Sequence, residues 1–248
     1  MSTVSIILPY YKKREFIKET LNSIINQSYK DFEVIIIYDD ESVEDLDFIK
    51  NIIVNDDRIK LIVNNKNLGV GSSRNIGINN SIGSYLAFID GDDLWKNDKL
   101  IKQISFMEEN NYLISHTSYE IINATGKKLS HRKAENLNYK KLLKSCDIGL
   151  SSVILKKELL KDNLRFANLK TKEDFVLWLK ISENGNTIYG LEDNLLFWRK
   201  TNNSISSSTI RKLIDGFLVY YKYLGFNFIK SLYYLLILSI NYLRKISW

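Results

Sequence analysis

An α/β fold with a mostly parallel central sheet and flanking helices is what the sequence predicts, and three observations predict it. Short apolar, β-rich runs alternate with helically spaced segments through about the first hundred residues. Each of the first four runs ends on polar or aromatic residues rather than on a simple turn. The 248 residues are 45% hydrophobic and 26% charged, enough to bury a core without a membrane-like composition.

Taken in order, Val4–Leu8 reads as a buried strand, and 15–26 places Phe16, Ile17, Leu21, Ile24 and Ile25 at helical spacing. Phe32–Tyr38 is a second strand, followed by a helix over about Val43–Val54 and a strand at Ile59–Val63. A helix over about 71–81 and a strand at 85–89 complete the alternation, and another helix starts near Asp98. Parallel sheets bind ligands beyond the carboxyl ends of their strands. Those ends carry Pro9, Tyr10 and Tyr11 (Pro9 being the only proline), then Asp39 and Asp40, then a glycine-bearing loop with Arg74, then Asp90, Gly91, Asp92 and Asp93.

Clustered carboxylates repel one another unless a cation lies among them, and Mg²⁺ or Mn²⁺ takes such oxygen ligands together with phosphate. Asp90, Asp92 and Asp93 are therefore candidate metal ligands, although an Asp-rich turn capping the next helix explains the same residues. Asp39 and Asp40 suit hydrogen bonds to a base or ribose, and Tyr11 offers a stacking face; a polar turn beside a core tyrosine is the plainer alternative. Arg74, in a loop that opens a helix, could meet phosphate together with backbone amides. A Glu-Asp pair, Glu173 and Asp174, begins another apolar helical stretch, where acids commonly complement the helix dipole.

Read together, Ile6–Tyr11, Glu33–Asp40, Asn67–Gly77 and Ala87–Trp95 resemble glycosyltransferase family 2 in motif order and spacing. Further on, Ser151–Lys157, Lys172–Leu179 and Phe197–Arg199 with Ser204–Ser206 are similar to that family's acceptor-side strand, Glu-Asp helix and closing stretch. The resemblance implies the GT-A fold, with a Rossmann-like sheet, and an inverting, metal-dependent transfer of a sugar from a nucleotide diphosphate, a UDP-sugar, to a hydroxyl. It assigns Asp174 as general base and Mn²⁺ or Mg²⁺ on Asp92 with Asp90 or Asp93. Pro9, Tyr11, Asp39, Asp40, Arg74 and Asp90 fall on the donor side, and Glu173, Trp178 and Arg199 on or behind the acceptor side. The chain departs from the family pattern at Lys12, Glu41 and Thr201, where asparagine, glycine and histidine are common. Wording around His116 and Trp198 resembles bacterial enzymes of O-antigen, lipopolysaccharide or capsule assembly, which implies a polyprenyl-linked saccharide acceptor. A nucleotidyltransferase is disfavoured by the lack of a glycine-rich, lysine-bearing N-terminal loop; a non-catalytic sugar-nucleotide-binding scaffold remains the other alternative.

The net charge of +6 is concentrated at the end of the chain: Arg211, Lys212, Lys222, Lys230, Arg244 and Lys245 face only Asp215. From Phe226 to Ile246, Phe228, Ile229, Leu232, Leu235, Leu236, Ile240 and Leu243 fall on one helical face. Asn227, Lys230, Ser231, Tyr234, Asn241 and Lys245 fall on the other, with Leu238 the exception. Such a helix is expected to lie in a membrane surface, with packing on the catalytic domain or in a homodimer as alternatives. The division expected is a catalytic domain at 1–208 (donor half 1–110, acceptor half 111–208) and a helical membrane-associating tail at 209–248. The lone Cys146 and the absence of a signal-like start point to the cytoplasmic face of a bacterial inner membrane. Nucleic acid is not an expected partner, because the cations lie among long apolar stretches.

Overall fold

A computed structural model describes residues 3–161, 164–201 and 209–246. The expected Ser204–Ser206 stretch and the expected 208/209 boundary lie outside these residues.

The first half follows the predicted alternation. Strand β1 (Val4–Tyr10) leads to α1 (Arg14–Ile25), β2 (Phe32–Tyr38), α2 (Val43–Ile53), β3 (Ile59–Val63), α3 (Val70–Asn80) and β4 (Tyr85–Phe88). Helix α1 buries Phe16, Ile17, Leu21 and Ile24, and Ser42 caps α2 by accepting from the Asp45 amide at 3.2 Å. Strands β1 and β2 are buried almost throughout, as expected of strands covered on both faces. All three strand pairings in this half are parallel, in the order β3-β2-β1-β4.

Beyond β4 the sheet becomes mixed. A short β5 (Leu94–Trp95) and α4 (Lys99–Glu109) precede β6 (Ile114–Asn123), β7 (Lys128–Arg132), the small helix α5 (Tyr139–Leu142) and β8 (Ile154–Lys156). Then come α6 (Glu173–Glu183) and the long β9 (Tyr189–Lys200). The sheet continues β4-β8-β6-β9-β5, with β8 antiparallel to both neighbours and β9 parallel to β6 through an irregular register. Two apolar cores line the two faces of the sheet, one built on Ile7, Phe88, Trp178 and Leu179, the other on Ile6, Ile36, Leu100 and Met107.

Helix α7 (Thr209–Leu218), a wider π-helical turn (Val219–Tyr223) and α8 (Phe228–Ile246) complete the described chain. Val219, Tyr220 and Leu238 are buried in the same core as α6. Part of the polar stripe of α8 turns out to be packed: Ser231 is buried, as is Leu238 on the same stripe, and Asn241 donates to the Lys144 carbonyl at 3.0 Å, while Asn227 and Lys230 stay exposed. Phe228, Ile229, Leu232, Leu236, Ile240 and Leu243 face outward, joined by Ile210, Leu213 and Ile214 of α7. Among the described residues no helix is long and apolar enough to cross a membrane.

Candidate active site at the strand ends

The parallel half delivers its polar residues to one edge. Pairing along β1 turns Tyr10 inward, where its ring stacks on Tyr38 at 5.2 Å and its hydroxyl donates to Asp45 at 2.5 Å. Pro9 is buried in the same strand, and Tyr11, one residue on, is half-exposed at the edge. Lys12 takes a left-handed φ of 51°, its amide donating to Asp40 at 2.8 Å and its ammonium lying 5.1 Å from the centre of the Tyr11 ring. The residue that replaces the usual asparagine thus occupies one face of the expected stacking platform.

Asp39 is buried and holds the loop before α3, accepting from the Leu68 and Gly69 amides at 2.8 and 2.9 Å and from the Asn64 side chain at 2.8 Å. A carboxylate at a helix N-terminus is favoured by the exposed amides and the helix dipole. The loop amides just before α3 are thus engaged by Asp39. Asp40 turns the chain into α2 by accepting from the Glu41 amide at 2.8 Å.

Arg74 also differs from expectation. Its guanidinium is buried rather than offered to a phosphate, donating to Glu173 at 2.5 Å and to Asp90 at 2.7 Å, above the Phe166 ring. Gly71 allows this approach, because a Cβ there would lie 2.5 Å from the Ala167 carbonyl oxygen and 3.4 Å from the Glu173 side chain. The charge balance is local: one guanidinium lies among Asp90, Glu173 and Asp174.

The Asp90–Asp93 turn separates its carboxylates. The Asp90 side chain is 35% exposed and that of Asp92 11%, the latter receiving the Lys13 ammonium at 2.5 Å. Asp93 is buried, accepting from the Ser151 hydroxyl at 2.5 Å and from the Arg199 amide at 2.8 Å. Burial, and then the charges of Asp92 and Asp90, push its carboxyl well above the usual range. Burial also raises Asp92, against the pull of Lys13. The expected triplet of ligands is therefore divided: Asp93 anchors the turn, and among the described residues no three acids, histidines or cysteines come together to hold a metal. Asp90 and Asp92 still fit a hard divalent cation. They are two partly accessible carboxylates whose charge is now balanced by lysine and arginine, and Mg²⁺ needs only one or two such ligands beside phosphate.

On the far side, Asp174 is half-buried at the start of α6 and accepts from the Phe175 amide at 2.7 Å. Burial raises its carboxyl, against the pull of Arg74. Glu173 is pushed up to about 7, chiefly by burial. Trp178 is fully buried against Phe166, so its place is to support α6 rather than to face an acceptor. Arg199 stands behind the turn, donating to the Asp92 carbonyl at 2.8 Å, to Glu19 at 2.7 Å and to the Ala124 carbonyl at 2.9 Å. Two contributors were not singled out for this role by the sequence. Lys13 follows the Tyr-Tyr pair like any surface lysine, and Ser151 also binds the Asp90 amide at 3.0 Å, across 61 residues.

Comparison with known proteins bears on this geometry. The profile described as Glycosyl transferase family 2 matches residues 5–162. A UDP-Glc:alpha-D-GlcNAc-diphosphoundecaprenol beta-1,3-glucosyltransferase (WfgD) of Escherichia coli is 35% identical over 216 residues, 85% of this chain and 82% of that protein. An uncharacterized glycosyltransferase of Rickettsia felis is 38% identical over 195 residues, and the match spans 77% of this chain but 32% of that protein. Among solved structures, Staphylococcus aureus TarS 1-349 in complex with UDP-GlcNAc superposes with a TM-score of 0.73 at 23% identity, over 89% of this chain and 65% of that one. This agreement is one of fold, the GT-A arrangement of a mixed sheet with flanking helices.

Proposed function

The chain belongs to glycosyl transferase family 2 and is a glycosyltransferase, and we propose that it moves a sugar from a UDP-linked donor, with inversion, to a hydroxyl of a polyprenyl diphosphate-linked saccharide in bacterial surface polysaccharide assembly. The observation that carries the reading is the Arg74 bridge, which ties Asp90 at the donor-side strand end to Glu173 beside Asp174. Groups that must act on the two sides of one sugar are held by a single buried guanidinium.

In this reading Pro9, Tyr11, Asp39 and Asp40 shape the nucleotide side. Asp92 and Asp90 would hold Mn²⁺ or Mg²⁺, whose charge makes the diphosphate a better leaving group. Asp174 accepts the proton of the acceptor hydroxyl as its oxygen bonds to the anomeric carbon and the bond from that carbon to the diphosphate oxygen breaks. Its raised pKa suits the task, since a base works best with a pKa near the working pH. The Phe175 amide fixes one carboxylate oxygen and with it the direction of the other. Arg199 and Asp93 keep the turn that carries Asp92 in place.

The outward apolar face of α7 and α8, edged by Lys222 and Lys230, supports peripheral attachment to the cytoplasmic face of the inner membrane, where a lipid-linked acceptor would lie. The related E. coli enzyme is named for a diphosphoundecaprenol-linked acceptor, which supports the same class here. The reading is tested by nucleoside diphosphate release from a panel of UDP- and GDP-sugars with a short-chain polyprenyl diphospho-GlcNAc, with Mn²⁺ or Mg²⁺ and then with EDTA. Release from one UDP-sugar that EDTA abolishes is the expected result; EDTA-resistant release would remove the metal, and release from GDP-sugars alone would change the donor.

A further inference from the structure

Asp215 is a buried carboxylate that the mechanism above leaves unused. It lies on α7 with 2% of its surface exposed, and its Oδ2 accepts from both the Thr171 amide at 3.0 Å and the Thr171 hydroxyl at 2.9 Å. Two hydrogen bonds to one buried oxygen hold Thr171 by both its backbone and its side chain.

The residues after Thr171 give this contact its meaning. Lys172 has a left-handed φ of 64° and is the residue from which α6 starts, and Glu173 and Asp174 come directly after it. A side-chain-bearing residue in that conformation is strained and persists only where its surroundings impose it. The tail supplies those surroundings at three successive places. Asp215 fixes Thr171. Gly216 lies beside the Lys172 side chain, whose Cε would be in ordinary contact with a Cβ there at 3.5 Å, and the missing Cβ makes room for Leu235 of α8, which would lie 2.9 Å from it. Tyr220 meets the edge of Phe175 at 6.4 Å and 85°, its hydroxyl anchored on the Leu143 carbonyl at 2.9 Å. A helix that served only to adhere to a surface would need none of these contacts.

We propose that Asp215 is a positioning residue for the Glu173–Asp174 pair, so that the C-terminal tail is a working part of the acceptor side of the site. The proposal rests on the reading of Asp174 as the base. Asp215 touches no reacting atom; it acts by holding Thr171, hence the left-handed turn at Lys172 and the direction in which Asp174 leaves it.

The test compares Asp215→Ala, Thr171→Val and Thr171→Ser with the unaltered protein, using the UDP-sugar active in the donor panel and a water-soluble, short-chain polyprenyl diphospho-GlcNAc, without membranes. Misplacing a catalytic group by about 1 Å can cost roughly a hundredfold in rate, so a drop of about ten- to a hundredfold in kcat is expected for Asp215→Ala. Thr171→Val should lose less and Thr171→Ser should behave normally, with the donor KM and the UDP Kd unchanged throughout. Should Asp215→Ala fold poorly, Thr171→Val, which removes only the hydroxyl bond, decides the matter. Normal kcat in Asp215→Ala, or in Thr171→Val where that variant decides, overturns the proposal, as does a loss of kcat matched by loss of UDP affinity. Asp174→Asn, run alongside, keeps the two readings apart: normal turnover there overturns the base assignment, whereas an inactive Asp174→Asn beside a fully active Asp215→Ala overturns only the positioning role.

Discussion

In the half of the sheet built from β1 to β4, Tyr11, Asp39, Asp40 and the Asp90–Asp93 turn come just past the carboxyl ends of strands and are aimed by the parallel register, while Arg74 reaches in from α3. In the half built from β6, β8 and β9, the groups come from a helix start, a buried serine and the end of an irregular strand. There the aim is set by tethers: Arg74 to Glu173, Ser151 to Asp93, Arg199 to the turn, Asp215 to Thr171. The contrast teaches that in the parallel half topology brings the polar residues to one edge, whereas the groups of the mixed half, and the Asp92–Asp93 turn that they fasten, depend on individual buried polar contacts.

The largest effect that could break this comparison is at Asp174. Asp174→Asn should lower turnover by roughly a hundred- to ten-thousandfold, the usual worth of a general base, with UDP affinity unchanged by calorimetry. Equal loss of UDP binding would show that the two halves do not act separately. Next comes Arg74→Leu, which leaves the Glu173 and Asp90 carboxylates without their shared cation. Breaking a buried pair in this way costs about 3–5 kcal/mol, so the urea midpoint should drop sharply; a small shift would mean that the bridge holds geometry without contributing stability.

A smaller effect should depend on pH. Glu173 rises from an ordinary 4.5 to about 7 in the folded protein. Between those values the folded state keeps a proton that the unfolded state has released, so stability from this group falls as pH climbs from 4.5 toward 7. Glu173→Gln should flatten that part of the stability profile, and an unchanged slope would place the titration elsewhere. The smallest effect on stability belongs to the outward face of the tail. Leu236→Ser with Ile229→Ser should change unfolding free energy by no more than about 0.5 kcal/mol each while releasing the protein from anionic vesicles in a sedimentation assay. Undiminished sedimentation would assign that face to another partner, such as a second copy of the chain.

The same contrast explains what was legible in the sequence. Strands β1 to β4 and the helices between them could be read because apolar periodicity is local, and their carboxyl-end residues came from strand direction alone. The role of Asp93 could not, since its partners Ser151 and Arg199 lie 58 and 106 residues away and a triplet of acids looks alike until one of them is buried. Arg74 resembled a phosphate ligand because a glycine loop opening a helix usually leaves its amides free, and nothing local showed that Asp39 would take them. Trp178 sits in an apolar helical stretch whose core side no periodicity distinguished from its acceptor side. The tail was legible as amphipathic, but part of its polar face proved to be packed: Ser231 is buried over its own helix's Asn227 carbonyl, and Asn241 bonds to the Lys144 carbonyl, which only the tertiary fold provides.

The clamp between Arg199 and Glu19 spans 180 residues. Translation adds about 5–20 residues per second, so Glu19 would wait on the order of ten to forty seconds for Arg199 to leave the ribosome. Once Phe88 has emerged β1 to β4 can pair, while the turn bearing Asp92 and Asp93 still lacks the strand that fastens it. The unpaired edge of β4 in between is the surface that a ribosome-associated chaperone would need to shield.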